Sequence, residues 1–303
     1  MVGRVLVAIV HGTFFGVAPI AATTLVPPEK RGGAVALILA GLTVANVLGV
    51  PGGTAIGNAF GWRATFWAVA IVGLVATFGT ALLLPRGISN GAPGGSILRE
   101  IRVLGRQQVA TSLLIVAVVM IGQYALFTFI APLLLEVTLI DPSVVPWLLL
   151  LYGVGATVGV LIGGRLADWR LMPSLIAILL LQVLAFAAVA LSAPYAMLML
   201  IVVPIWGGIN FAFGAPPQSR VLMWAADAPN LASTLIPSAF NVGIAIGAVA
   251  GSAMLESGAG YPALPWIGCA TSLCGALLAA ASFALDRRSG ATPPRSAGAP
   301  ASL

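Results

Sequence analysis

Runs of twenty or more residues without a single charge recur from one end of this 303-residue chain to the other. A helix needs about twenty apolar residues to cross the hydrocarbon core of a bilayer, so such runs commit most of the chain to membrane-spanning helices. Only 7% of the residues are charged and 60% are hydrophobic, whereas a soluble domain carries about a quarter charged residues. A water-soluble fold has too little interior to hide that much apolar surface. Reading the uncharged runs between Pro-, Gly- and charge-rich connections predicts nine spans, near 5–26, 33–57, 64–85, 109–135, 144–164, 172–192, 194–216, 229–255 and 262–285. The fold class is therefore all-α, a polytopic membrane helix bundle in contact with the lipid bilayer.

The net charge of +6 would suggest nucleic acid in a soluble chain, but the basic residues lie in short loops and form no basic, aromatic-interleaved face. No nucleic-acid partner is expected. When alternate loops are assigned to the two sides, one side collects Lys30, Arg31, Arg86, Arg99, Arg102, Arg106, Arg165, Arg170, Arg220, Arg287, Arg288 and Arg295, and the other holds Arg63 alone. By the positive-inside rule the rich side is cytoplasmic, which puts the C-terminus there and the start of the first span outside. Residues 1–22 could be read as a signal peptide, with Arg4 as its basic region, but the apolar stretch runs past the small-residue site. The simpler expectation is an odd number of spans upstream of this sequence.

Small residues repeat at every fourth position in the second span (Gly41, Ala45, Gly49, Gly53, Gly57) and in the eighth (Ala239, Gly243, Gly247, Gly251). The two span pairs that contain these rows look like copies, as in transporters built from parallel repeats. Residues 86–108 then join the halves; within them, 97–104 alternates apolar and basic residues as a surface-lying helix would. Cys269 and Cys274 fall five apart in one apolar run, on different faces of a helix, and read as buried small hydrophobes. With one histidine, no metal-ligand spacing and no intramembrane acid pair, neither a metal site, a cofactor nor a membrane-embedded enzyme is expected.

Several segments together resemble a known family. Arg4-Val5-Leu6 followed by His11-Gly12-Thr13-Phe14-Phe15-Gly16 looks like the fourth helix of major facilitator drug–proton antiporters of the arabinose-efflux and chloramphenicol-resistance type. Gly41-Leu42-Thr43-Val44-Ala45-Asn46-Val47-Leu48-Gly49-Val50-Pro51-Gly52-Gly53-Thr54, continuing to Gly61-Trp62-Arg63, looks like the antiporter motif of their fifth helix. Gly163-Gly164-Arg165-Leu166-Ala167-Asp168-Trp169-Arg170 looks like the second copy of the superfamily's loop motif. The proline of the antiporter motif stands one place later than usual, and Ala8 replaces a common glycine. The resemblance implies about nine of twelve helices, family helices four to twelve. Residues 1–85 would be a partial N-terminal half, 86–108 a cytoplasmic linker, 109–288 a complete six-helix half and 289–303 a disordered tail.

It further implies a secondary active exporter of drugs or small amphipathic solutes, coupled to protons by alternating access in a bacterial inner membrane. A sugar-efflux permease and a non-transporting fragment remain open alternatives. On this reading Arg4 serves proton or substrate transfer, though an interfacial flank is equally compatible with its position. His11, Phe15, Gln123, Tyr124, Phe127, Trp206 and Asn210 would line the substrate cavity, with core packing as the alternative for each. Gly41, Gly49, Pro51, Gly53 and Gly57 would meet Gly155, Gly159 and Gly163 in a seam between halves, so that a leucine at Gly49 or Gly53 would force two backbones apart, with generic small-residue packing as the alternative. Gly164, Arg165, Asp168 and Arg170 would form a charge-paired cytoplasmic gate loop, with a solvated loop of basic bias as the alternative. The glycine row of the eighth span would look out on lipid or an open groove, and the chain alone would not transport.

Overall fold

The computed structural model describes residues 45–85, 102–225 and 229–290, with isolated positions among residues 10–44. Every described element is helical. A π-helical turn Ala45–Gly49 leads into α1 (Val50–Phe60), and Gly61, at φ 82°, reverses the chain into α2 (Trp62–Leu83). After the described gap come α3 (Gln107–Phe127), α4 (Val145–Ser192), α5 (Ala196–Ala212), α6 (Ala215–Trp224), α7 (Pro229–Glu256) and α8 (Leu264–Ser289). Six of the described helical stretches are long and apolar enough to cross a membrane.

The 48 residues of α4 would extend about 72 Å as one rod, more than twice a hydrocarbon core of about 30 Å. The chain resolves this at Arg170, whose φ −150° and ψ 86° break the helical path just before Pro173. Side-chain neighbours give the direction of the two arms. Gly155, Gly159 and Gly163 follow Pro204, Gly208 and Ala212 in the same order, so the first arm runs parallel to α5. Phe186 lies against Trp206 and Ser192 against Met199, so the second arm runs antiparallel to it. The fifth and sixth spans of the sequence reading are thus joined with no loop between them.

The same bookkeeping sets α7 parallel to α3 (Gly243 on Ala117, Gly247 on Ile121, Gly251 on Ala125) and α8 antiparallel to α3 (Ser282 beside Thr111). The six crossings from α3 to α8 therefore alternate in direction around one bundle. Two buried clusters fill it, one with Val116, Leu175 and Val221 towards one end and one with Leu133, Leu148 and Val189 towards the other. Because lipid is as apolar as these side chains, association depends on close packing, which the glycine contacts supply.

One end of the bundle carries Arg106, Arg165, Arg170, Arg220, Arg287 and Arg288; the far end carries Glu136, Asp141 and Glu256. Asn58 of α1 donates to the Pro142 carbonyl at 3.3 Å, which places the Gly61 turn and Arg63 at the far end. The seventh span also differs from its sequence reading: it ends at Ala212, and after Phe213 and Gly214 a separate ten-residue helix, α6, starts on Pro216 and Pro217 in its first turn. Residue 290 adopts the left-handed conformation that ends α8, and the linker residues 86–101 and the tail from 291 lie outside the described residues.

Candidate functional site

Midway through the bundle, three helices each carry an amide side chain one turn from an aromatic ring: Gln123 and Phe127 on α3, Gln182 and Phe186 on α4, Trp206 and Asn210 on α5. Each pair is four residues apart and so shares a helix face. α3 and the second arm of α4 run away from the arginine-rich end and α5 runs towards it. All three amides therefore stand one turn nearer that end than their rings. The rings form a continuous layer with Tyr152, whose centroid is 5.1 Å from Phe127 and 5.0 Å from Trp206, while Phe186 meets Trp206 edge-on at 5.8 Å. Tyr124 packs edge-on against Phe127 at 5.8 Å.

Burial separates the members of this layer. Trp206, Asn210, Gln123 and Gln182 are buried, whereas Tyr124 and Phe127 are half-buried at its margin. The Trp206 Nε1 and the Nε2 atoms of Gln123 and Gln182 have no hydrogen-bond partner. A buried donor left unpaired costs roughly 1–3 kcal/mol and is concentrated where function or rearrangement supplies a partner. The Asn210 Oδ1 is likewise buried without a partner. Five of the seven cavity residues named from sequence are thus brought together. Arg4, His11 and Phe15 lie outside the described residues. Tyr152, Gln182 and Phe186 were not singled out; the repeated amide-and-ring pair at four-residue spacing was the signal that could have found Gln182 and Phe186, while Tyr152 has no amide at that spacing.

The glycine seam differs from its expectation. Gly155, Gly159 and Gly163 face α5, where an added Cβ would fall on the carbonyl oxygens of Pro204, Gly208 and Ala212. α5 claims this face because its own Gly207 and Gly208 allow the matching approach. The second span does lie on the first arm of α4, but through Pro51, Gly52, Ala55 and Asn58 set against Pro146, Trp147 and Leu150, with a cavity of about 570 Å³ between them. Gly41 and Gly49 meet no atom of the described residues, and Gly53 and Gly57 turn to Thr65 of α2, whose hydroxyl donates to the Gly53 carbonyl at 3.1 Å. The row at Gly243, Gly247 and Gly251 likewise departs from expectation, since it is closed against α3 and faces neither lipid nor an open groove.

At the arginine-rich end, Arg165, Asp168 and Arg170 are exposed, Gly164 has open space beside it, and no ion pair links the three charges. Arg170 instead lies over the Trp169 ring at 5.4 Å. The charge pair that the sequence reading sought in this loop stands elsewhere. Arg220 of α6, 1% exposed, donates to Asp286 Oδ2 of α8 and to Ser282, each at 2.7 Å, and reaches Thr111 and Ser112 of α3 at 3.3 and 3.4 Å. Gln108 donates to the other Asp286 oxygen at 3.1 Å. This clasp ties the ends of α3, α6 and α8. Its trace in the sequence was an i, i+4 pair, Ser282 and Asp286, facing Gln108, Thr111 and Ser112.

The described residues form an alternating six-crossing bundle with a further set of helices against one face. The chain belongs to the Major Facilitator Superfamily, whose family model matches residues 1–228. It is 37% identical to the inner membrane transport protein YdhP of Escherichia coli strain K12 over 268 residues, 88% of this chain and 68% of that protein. It is 38% identical to the chloramphenicol resistance protein of Streptomyces lividans over 246 residues, 80% of this chain and 63% of that one. Among solved structures it resembles a bacterial homolog of the human lysosomal transporter Spinster, inward-facing and unoccupied, with a TM-score of 0.55 at 17% identity over 89% of this chain and 73% of the other. The chain is a transporter of this superfamily and not an enzyme, as its sequence implied.

Proposed function

We propose that this protein exports drugs or other small amphipathic solutes from the cell by proton antiport with alternating access. The observation that carries this reading is the layer of rings backed by unpartnered amides at mid-bundle in α3, α4 and α5. An apolar-aromatic wall with a few convergent polar groups suits an amphipathic ligand better than a sugar held by many hydrogen bonds. The similarity to a protein named for chloramphenicol resistance points to the same class of cargo. Tyr124 and Phe127, half-buried at the margin of the layer, make first contact, and entry of the solute supplies partners to Gln123 and Trp206. On the same reading His11 and Phe15 belong to the substrate cavity and Arg4 passes protons or substrate. The arginine-rich end faces the cytoplasm of the inner membrane and includes the C-terminus.

Cells stripped of their own efflux pumps and expressing this chain joined to three upstream spans from a relative are expected to accumulate less chloramphenicol than cells with an empty vector or with residues 1–303 alone, and collapse of the proton gradient is expected to erase the difference. Equal accumulation in the extended-chain and empty-vector strains refutes export. A difference that survives the protonophore refutes proton coupling alone.

A further inference from the structure

At the arginine-rich end a cavity of about 550 Å³ opens beside the clasp, bounded by the kink of α4, by α6 and by the last turn of α8. Its walls are apolar: Met172, Met223, Trp224 and Phe283. Its floor is the Arg220–Asp286 pair, whose charges cancel and whose Arg220 Nε has no partner. Its rim is Arg287, exposed, held over the Phe283 ring at 5.3 Å and without an ion-pair partner among the described residues. Arg288 and Arg170 stand exposed at the same end and add positive charge to the approach.

The position of this cavity limits its occupant. The arginines mark the level of the membrane surface, so the apolar walls lie where acyl chains begin and the charged rim lies where headgroups sit. A soluble anion would find one rim cation and no polar wall. A lipid with a negatively charged headgroup matches both parts. We propose that the cavity is a binding site for one anionic phospholipid, its phosphate on Arg287 and its upper acyl chain against Met223, Trp224 and Phe283. The lipid would close the open side of the clasp that joins α3, α6 and α8. A cationic rim at a membrane surface favours an anionic over a zwitterionic headgroup by about fivefold per arginine.

Trp224 reports occupancy directly. The purified full chain in detergent is titrated with phosphatidylglycerol brominated on the acyl chain and with phosphatidylcholine brominated identically. The Trp224 signal is the quenching lost when the titration is repeated with Trp224→Phe. The expected result is half-maximal quenching of that signal by phosphatidylglycerol at a concentration about fivefold lower than by phosphatidylcholine, with the preference lost in Arg287→Gln. Glycerol 3-phosphate is expected not to displace the brominated lipid. Equal quenching by the two lipids, a preference that survives Arg287→Gln, no Trp224 component at all, or displacement by glycerol 3-phosphate each overturns the proposal. None of these readings depends on transport, so failure here leaves the export reading untouched.

Discussion

Two glycine rows with the same four-residue spacing lie in opposite surroundings. On the first arm of α4, Gly155, Gly159 and Gly163 are sealed against the backbone of α5. On the second span, Gly41 and Gly49 have none of the described residues beside them, and the helix rests on α4 through other residues. What separates the rows is the partner. α5 offers Gly207 and Gly208, which let two backbones touch; the first arm of α4 offers the second span Pro146, Trp147 and Leu150, which hold it off and leave a cavity. A small-residue row states that close approach is allowed, and the facing helix decides whether it happens. The six crossings from α3 to α8 are accordingly bound by closed seams, and the contact with residues 45–60 is the looser joint.

The comparison breaks most readily at its closed end. Gly159→Ala places a methyl group on the Gly208 carbonyl, where neither backbone can yield without moving a helix, so the cost lies at the upper end of overpacking, about 3 kcal/mol. Folded protein in the membrane, read by fluorescence-detected size exclusion, is expected to fall about tenfold or more. Wild-type abundance would show that the α4–α5 seam is open. Next in size is the clasp: Arg220→Met leaves Asp286 without its cation, at a cost of about 3 kcal/mol, and adding Asp286→Asn is expected to restore part of the thermal stability. Additive losses in that double-mutant cycle would mean that the two residues do not act as a pair.

The open end is expected to be quiet. Gly49→Ala meets no atom of the described residues and should leave thermal stability unchanged to within about 0.5 kcal/mol, or raise it through better helix propensity. A loss as large as that of Gly159→Ala would place a helix against this row. The smallest effect belongs to the far-end turn, where Asp141 accepts from the Ser143 backbone N–H at 2.8 Å and from its hydroxyl at 2.5 Å, which lowers the Asp141 pKa below its ordinary value. A depressed folded pKa contributes stability above the unfolded pKa and loses it as pH falls through the folded one. Asp141→Asn should therefore lower the melting temperature slightly at pH 7, with the difference vanishing below about pH 4. A gap that persists in acid would rule out the carboxylate as its source.

Membrane-crossing helices and family could be read from sequence because long uncharged runs and contiguous motifs are local, additive signals. Pairings could not. Nothing within Gly155-x-x-x-Gly159 says whether α5 or the second span will claim it, since that depends on residues fifty positions away. Arg220 was read as one more loop cation; only the fold shows that α6 carries it under Ser282 and Asp286. The aromatic half of the central layer was partly visible as Phe127 and Trp206, while Gln182 and Phe186 sat unnoticed in a span with no other polar residue near them. Gly164, Arg165, Asp168 and Arg170 matched a motif in type, yet in this structure that loop is exposed and its charges are unpaired.

The central claim is that residues 107–289 form one closed body and that the groove beside residues 45–60 is where the protein yields. Distance measurement by double electron–electron resonance, with Cys269 and Cys274 replaced by serine, tests both at once. Spin labels go on exposed sites: Trp147 with Met197 spans the α4–α5 seam, and Trp147 with Phe60 spans the groove, these three residues being 68%, 79% and 78% exposed. In lipid nanodiscs the seam pair is expected to give one narrow distance, unchanged by chloramphenicol or by a shift from pH 8 to pH 6. The groove pair is expected to give a broad or double distribution that both treatments move. A seam distance that shifts with the drug, or a groove distance as narrow and fixed as the seam's, would contradict the account.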